Sequence, residues 1–201
     1  MTRWWVPGVV AVVALLAAEA LAAPFVVFPK AGELVSPDGR LIVRDADRPG
    51  APSDFVGTFH SLWLVESATG HSSKLCDYVG VAAVAWFGND FLLVTQYLNK
   101  RTSRALVFFP NSGLDPLVVD KPTLTNLLPV ELRDTLRGND QVFIEASRLE
   151  GRTFYFSVWG YGQHDADGFR WRCQYALEGG AVSCSDSRSA NQRPSPGQRR
   201  Y

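Results

Sequence analysis

The chain has 201 residues, 46% of them hydrophobic, and its twenty basic side chains balance its twenty acidic ones. That length suits one domain with a sizeable core and argues against wholesale disorder. With zero net charge and no run of five like charges, nothing supplies the phosphate-neutralising stripe that nucleic-acid binding requires, so nucleic acid is not an expected partner.

The N-terminus has the pattern of a cleaved signal peptide. Arg3 supplies a positive start, residues 6–18 form a nearly unbroken apolar run, and Ala20-Leu21-Ala22 places small residues for cleavage before Ala23. A membrane anchor would need about twenty apolar residues, which this stretch reaches only by including Glu19. No later segment has the length and apolarity of a spanning helix, so no stable membrane span is expected once residues 1–22 are removed. The expected location is periplasmic or extracellular.

The mature chain then alternates short apolar runs with Gly, Pro, Asn, Asp and Ser, as strands joined by turns do. Twelve strands are predicted in three sets of four. The first set is 33–35, 41–44, 61–66 and 73–78; the second is 81–87, 91–97, 105–109 and 117–119; the third is 141–146, 153–161, 169–176 and 181–185. Pro37-Asp38-Gly39, Gly88-Asn89-Asp90, Asn111-Ser112-Gly113, Glu150-Gly151 and Glu178-Gly179-Gly180 supply turn chemistry between them. One short helix is predicted over 129–137, with Pro129 at its start, Arg137 at its end and Gly138 beyond. The expected class is thus all-β, built from antiparallel meanders.

Two of these punctuations lie about fifty residues apart, Ser36-Pro37-Asp38-Gly39 and Gly88-Asn89-Asp90, and Gly138-Asn139-Asp140 follows at nearly the same interval. The segment from Ser36-Pro37-Asp38-Gly39-Arg40-Leu41-Ile42-Val43 to Leu62-Trp63-Leu64-Val65-Glu66-Ser67-Ala68-Thr69-Gly70 resembles the WD40-like repeat of exported β-propellers of the TolB type. The resemblance is best over residues 33–79, looser over 81–120 and poorest over 139–186. It implies a propeller-like fold and a protein-binding role without catalysis. Propellers close with four to eight blades, whereas this chain supplies three sets at most. The expectations are therefore a partial propeller over residues 23–185 that self-associates, or a β-sandwich or open barrel.

Runs 81–87, 91–94 and 105–109 are continuously apolar, which predicts a sheet covered on both faces. By contrast Phe169, Trp171, Cys173 and Tyr175 alternate with Arg170, Arg172 and Gln174, which predicts one wet face for the last hairpin. A turn at Glu178-Gly179 would set Tyr175 opposite Val182 and Cys173 opposite Cys184, making those cysteines the expected disulfide. Strict register with that two-residue turn makes the cysteines a hydrogen-bonded pair, less favourable for a bridge, so a bulge is one way to relieve it. Cys76 is left as a buried free thiol or an intermolecular link. The tail 186–201, polar and almost without apolar residues, is read as a flexible end.

No nucleophile elbow, His-Glu-x-x-His pair or phosphate-cradling Gly loop is present in the sequence, and the cysteine and histidine spacing fits no zinc site. Asp165 and Asp167 followed by Gly168 look like half of a calcium loop, but the downstream acidic residue is missing and a hairpin turn explains them better. His164 beside Asp165 is the one acid–base neighbour pair, and adjacent side chains diverge. No cofactor or metal is called for. The candidate binding residues are Trp159, Tyr161, His164, Asp165 and Asp167, because aromatic side chains next to a polar loop suit recognition. The Pro-bearing loop 46–57 is a second candidate. The leading expectation is an exported, non-enzymatic module that binds another protein or itself. The competitors are a small secreted hydrolase with a site assembled from distant residues and a self-associating envelope component.

Overall fold

A computed structural model describes residues 24–48, 59–162 and 165–187 and places thirteen strands and two helices among them. The signal segment 1–22, most of the 46–57 loop, His164, and the tail beyond Ser187 lie outside the described residues.

The chain opens with β1 (Val26–Phe28) and then forms a first meander of β2 (Glu33–Val35), β3 (Leu41–Asp47), β4 (Phe59–Glu66) and β5 (Ser72–Val79). The second comprises β6 (Ala82–Phe87), β7 (Phe91–Tyr97), β8 (Ser103–Phe109) and β9 (Gly113–Val119). Two helices follow, α1 (Lys121–Leu127) and α2 (Val130–Gly138), and then the third meander of β10 (Gln141–Glu150), β11 (Thr153–Gly162), β12 (Asp165–Ala176) and β13 (Val182–Asp186). Each meander is its own antiparallel sheet in sequential strand order, and β1 returns to pair with β6 at the edge of the second. The sheets share no strand and close no barrel.

The strands fall into the three sets read from the sequence, with corrections. The structure has thirteen strands rather than twelve and two helices rather than one. Strand β1 escapes a pattern search because it is three residues long. Helix α1 escapes because it buries only Leu124, so no apolar stripe forms. Its start is nevertheless encoded locally: the Asp120 side chain accepts a hydrogen bond from the Thr123 amide at 2.8 Å, and Pro122 sits in the first turn. The third punctuation is also displaced. Gly138-Asn139-Asp140 precedes β10, whereas the turn matching Pro37–Gly39 and Gly88–Asp90 is made by Gly151 and Arg152 between β10 and β11.

The middle sheet is apolar on both faces. Val84, Trp86, Leu92, Val94, Leu106 and Phe108 pack against the first sheet's Val43, Leu62, Leu64, Cys76 and Tyr78. The alternate residues Leu93, Ala105, Val107 and Val119 pack against the third sheet's Val142, Ile144, Phe156, Val158 and Trp171 and the helices' Leu124, Leu128 and Leu136. The continuous apolar runs of β6, β7 and β8 follow from this, since period-2 alternation puts half of each strand on either side.

Hydrogen bonds hold the layers in register. Asn89 Oδ1 in the β6–β7 turn accepts from the Asp38 amide at 3.0 Å, tying the first two sheets at their hairpin tips. Between the second and third sheets, the Ser103 hydroxyl donates to Ile144 O at 3.0 Å and accepts from Ile144 N at 2.9 Å, and Thr95 Oγ1 accepts from Ala146 N at 2.9 Å. These hydroxyls satisfy backbone groups of the edge strand β10 that have no strand partner on that side.

Candidate binding face on the third sheet

The disulfide follows from hairpin geometry. Tyr175 lies opposite Val182 and Cys173 opposite Cys184, and the two cysteines are bonded. The turn is wider than the sequence implies, because Ala176 N donates to Ala181 O at 2.9 Å and closes a four-residue loop. Counting inward from that closing bond, Cys173 and Cys184 fall on a non-hydrogen-bonded pair, where side chains are closer, so no bulge is needed. Their Cα atoms are 4.1 Å apart. Cys173 is buried in the core, while Cys76 is a buried free thiol pushed up to about 12 by burial.

Register divides the third sheet into two faces. Ile144, Val158, Trp171 and Cys173 point inward, and their neighbours form an outward face that Tyr97 of β7 meets at Phe143 and Glu145. Successive cross-strand rows on that face are Phe143–Trp159–Arg170, then Glu145–Ser157–Arg172–Ser185, then Arg148–Tyr155–Gln174–Ser183. With strands about 4.8 Å apart, a four-residue row spans about 14 Å. Ser157, Arg172 and Ser185 of the second row and all of the third line a groove of about 650 Å³, within the range of about 300–1,000 Å³ usual for ligand clefts.

One end of the face is aromatic. Trp159 stacks on Phe143 at 4.1 Å with 18° between planes, and Tyr161 lies 6.4 Å from Trp159 in the same stack. Phe143 is covered and Trp159 half-buried, whereas Tyr161 is 42% exposed. The next row begins with Glu145, which accepts from Tyr97 Oη at 3.1 Å and from Ser157 Oγ at 3.5 Å. Burial, together with the Glu145 charge and hydrogen bond, pushes the Tyr97 hydroxyl up to about 12, so it stays a donor across the physiological range.

The other end is basic. Arg148 lies over the Tyr155 ring at 4.0 Å and pairs with Glu150 at 2.6 Å. Arg170 and Arg172 are exposed, and no described carboxylate lies within ion-pairing distance of either. Three guanidinium groups thus share a face with two carboxylates, Glu145 and the Glu150 that pairs with Arg148.

The structure places the sequence-derived candidates unevenly. Trp159 and Tyr161 sit together on the aromatic end of the outward face. Asp165 and Asp167 belong to β12, with Asp165 opposite Gly162, so they are strand residues rather than part of the hairpin turn expected there. Gly168 is a strand position with φ 63°, and a Cβ there would collide with the Gly160 carbonyl oxygen. Its glycine serves the close approach of β12 to β11 at an irregular step in the ladder.

Sequence reasoning missed the groove: Arg148, Tyr155, Ser157, Arg172, Gln174 and Ser183. The Arg170/Arg172/Gln174 alternation marked the wet face, but bringing Arg148 and Tyr155 onto it required the β10–β11–β12 register.

A second polar cluster lies between the first two sheets. Tyr78 Oη donates to Asp45 Oδ1 at 2.5 Å, His60 Nδ1 is 3.2 Å from Asp45 Oδ2, and the His60 and Tyr78 rings stack at 5.1 Å. His60, scattered and unremarkable in sequence, is 4% exposed. The Tyr78 hydroxyl is pushed above its ordinary value by burial first and by Asp45 second. Nearby, the Gln96 amide donates to the Asp77 carbonyl and accepts from Arg104. This cluster ties β3, β4 and β5 to β7 at the end of the core; its burial denies it to a substrate. Among the described residues no group of three or more His, Cys, Asp or Glu could hold a metal, and no helix is long and apolar enough to cross a membrane.

Compared with protein families, with curated proteins and with solved structures, the chain matches none.

Proposed function

We infer that the chain is an exported, non-enzymatic binding module that meets its partner on the outward face of β10–β13. The observation that carries this reading is the contrast within one sheet: an inward face of apolar side chains, and an outward face with a groove of about 650 Å³ whose protruding side chains are guanidinium, amide, hydroxyl and aromatic groups. A few convergent polar groups in a concave site are the usual form of a recognition surface. The Cys173–Cys184 bond fits an oxidising compartment. Three four-stranded meanders in sequence order, with the middle one covered on both sides, support a propeller-like arrangement of three blades. Exposed Arg170 and Arg172 on the outermost face speak against sealing it with another blade, because burying unpaired guanidinium groups is costly.

The test is capture from an extract of the native compartment by the immobilised, oxidised chain, beside a variant carrying Arg148→Glu and Arg172→Glu. The expected result is loss of the captured partner with an unchanged melting temperature. Equal capture by both proteins at equal stability overturns the assignment of the face.

A further inference from the structure

We propose that the ligand of this groove is a carboxylated polysaccharide, held across the strands by Arg148 and Arg172 and by the serine and glutamine side chains that line the groove beside them. The proposal rests on the reading of the outward face as the recognition surface and names what that surface takes.

Charge is the first argument. The chain as a whole is neutral, yet this face carries Arg148, Arg170 and Arg172 against Glu145 and Glu150, and Glu145 is already engaged by Tyr97 and Ser157. Arg172 projects from the third strand of its row and Arg148 from the first strand of the next. The two guanidinium groups are therefore separate anion sites along the groove rather than a single clamp. A polymer with carboxylates at intervals matches them, and the planar guanidinium fork binds carboxylate through two parallel hydrogen bonds. Arg148 is free to turn toward a ligand because its partner Glu150 is exposed and such surface pairs hold weakly.

The remaining lining favours a sugar over a peptide. Beside the arginines the groove is lined by Ser147, Ser157, Ser183, Ser185 and Gln174, short polar groups that both donate and accept, as sugar hydroxyls and ring oxygens require. A peptide brings an amide and a carbonyl at every residue, and these need partners when buried. Across the groove floor the backbones of β10–β13 are already paired with one another, so a peptide lying over Arg148 and Arg172 meets no free strand edge, and one is offered only at the outer side of β13. A folded protein partner is disfavoured on another count, since the centre of a protein interface is depleted of charge and rich in apolar anchors. Here the groove's two aromatic residues offer little anchor surface: Tyr155 lies under Arg148, and Phe156 is buried in the core.

The experiment uses the full chain with its disulfide formed and titrates it by calorimetry with polygalacturonate, its methyl ester, neutral dextran and poly-glutamate. The proposal expects saturable binding to polygalacturonate, weakened about tenfold or more by Arg172→Gln and by Arg148→Gln, and no measurable binding to the ester or to dextran. Binding to the ester equal to that of the acid overturns the carboxylate requirement. Tighter binding to poly-glutamate than to polygalacturonate assigns the groove to acidic peptides and overturns the sugar class. Absence of binding to polygalacturonate also overturns it. If the groove variants at the same time lose capture of the native partner, the recognition face stands and only the ligand class fails. Melting temperatures of the variants, expected within a degree or two of the parent, guard against unfolding as the cause.

Discussion

The middle and third sheets are built alike, each around a meander of four antiparallel strands, with β1 added at the edge of the middle one, yet one is buried on both faces and the other on one. In the middle sheet both faces of the central strands meet protein, so the runs 82–87, 91–94 and 105–109 are apolar without interruption. In the third sheet alternation is restored, and the freed positions hold arginine, glutamine, serine and tyrosine. Layer position, rather than strand topology, decides which sheet supports the core and which can recognise a partner.

The most severe test of this contrast is truncation in the middle sheet. Phe108 is fully buried between the first two sheets, and Phe108→Ala is expected to cost about 3–5 kcal/mol in urea unfolding. A loss below about 1 kcal/mol would show that this layer is not the shared core. Next comes the disulfide: replacing Cys173 and Cys184 together by Ala is expected to cost about 2–3 kcal/mol through the unfolded chain, with an unchanged far-ultraviolet spectrum. Helix α1 connects the two contrasted sheets, and Asp120→Ala removes its cap for about 1 kcal/mol. At the far end, substitution on the open face should be nearly free. Arg172→Ala and Gln174→Ala are each expected to change stability by no more than about 0.5 kcal/mol. A large loss there would mean the face is packed against something.

Acid titration sharpens the comparison at the hairpin tips. The Arg40 side-chain hydrogen bond, followed by those from Ser36 and the Arg40 amide, holds the Asp38 carboxyl down at about 2. A carboxyl whose folded value is depressed contributes stability that is present above its unfolded value, about 4, and is lost as pH falls toward 2. Asp77 shifts the same way: burial opposes ionisation, but the Lys74 and Ser61 hydrogen bonds with the Lys74 and Arg48 charges outweigh it. Both belong to the first sheet. Between pH 4 and 2, Asp38→Asn should therefore flatten the fall in stability, and an unchanged curve would place the acid sensitivity elsewhere in the molecule.

Much of the fold was legible because burial writes itself into periodicity. Unbroken runs in β6–β8 announced a sheet covered on both sides, and the alternation from Phe169 to Tyr175 announced a wet face. Cys173 and Cys184 were paired by counting from a turn, although the turn is four residues long and the count reached the right partners through the wrong hydrogen-bond phase. What stayed hidden depends on contacts between distant segments. Strand β1 is defined only by its pairing with β6, and α1 only by its cap and Leu124. Of the binding face, Trp159 and Tyr161 were visible because aromatics crowd there. Arg148 was not, because an arginine among surface charges gains meaning only when register sets it beside Tyr155 and across from Gln174.

The burial of Cys76 has a consequence for maturation. An unfolded chain offers an oxidant three thiols, and the wrong choice would strand a mismatched bridge. Cys173 and Cys184 are eleven residues apart, so they meet most often before long-range structure exists. Once the first two sheets close, Cys76 is both shielded and held as the unreactive thiol. Assembly of the layers thus acts as the proofreader of the chain's covalent chemistry, and a variant that loosens them should accumulate scrambled dimers before it loses its strands.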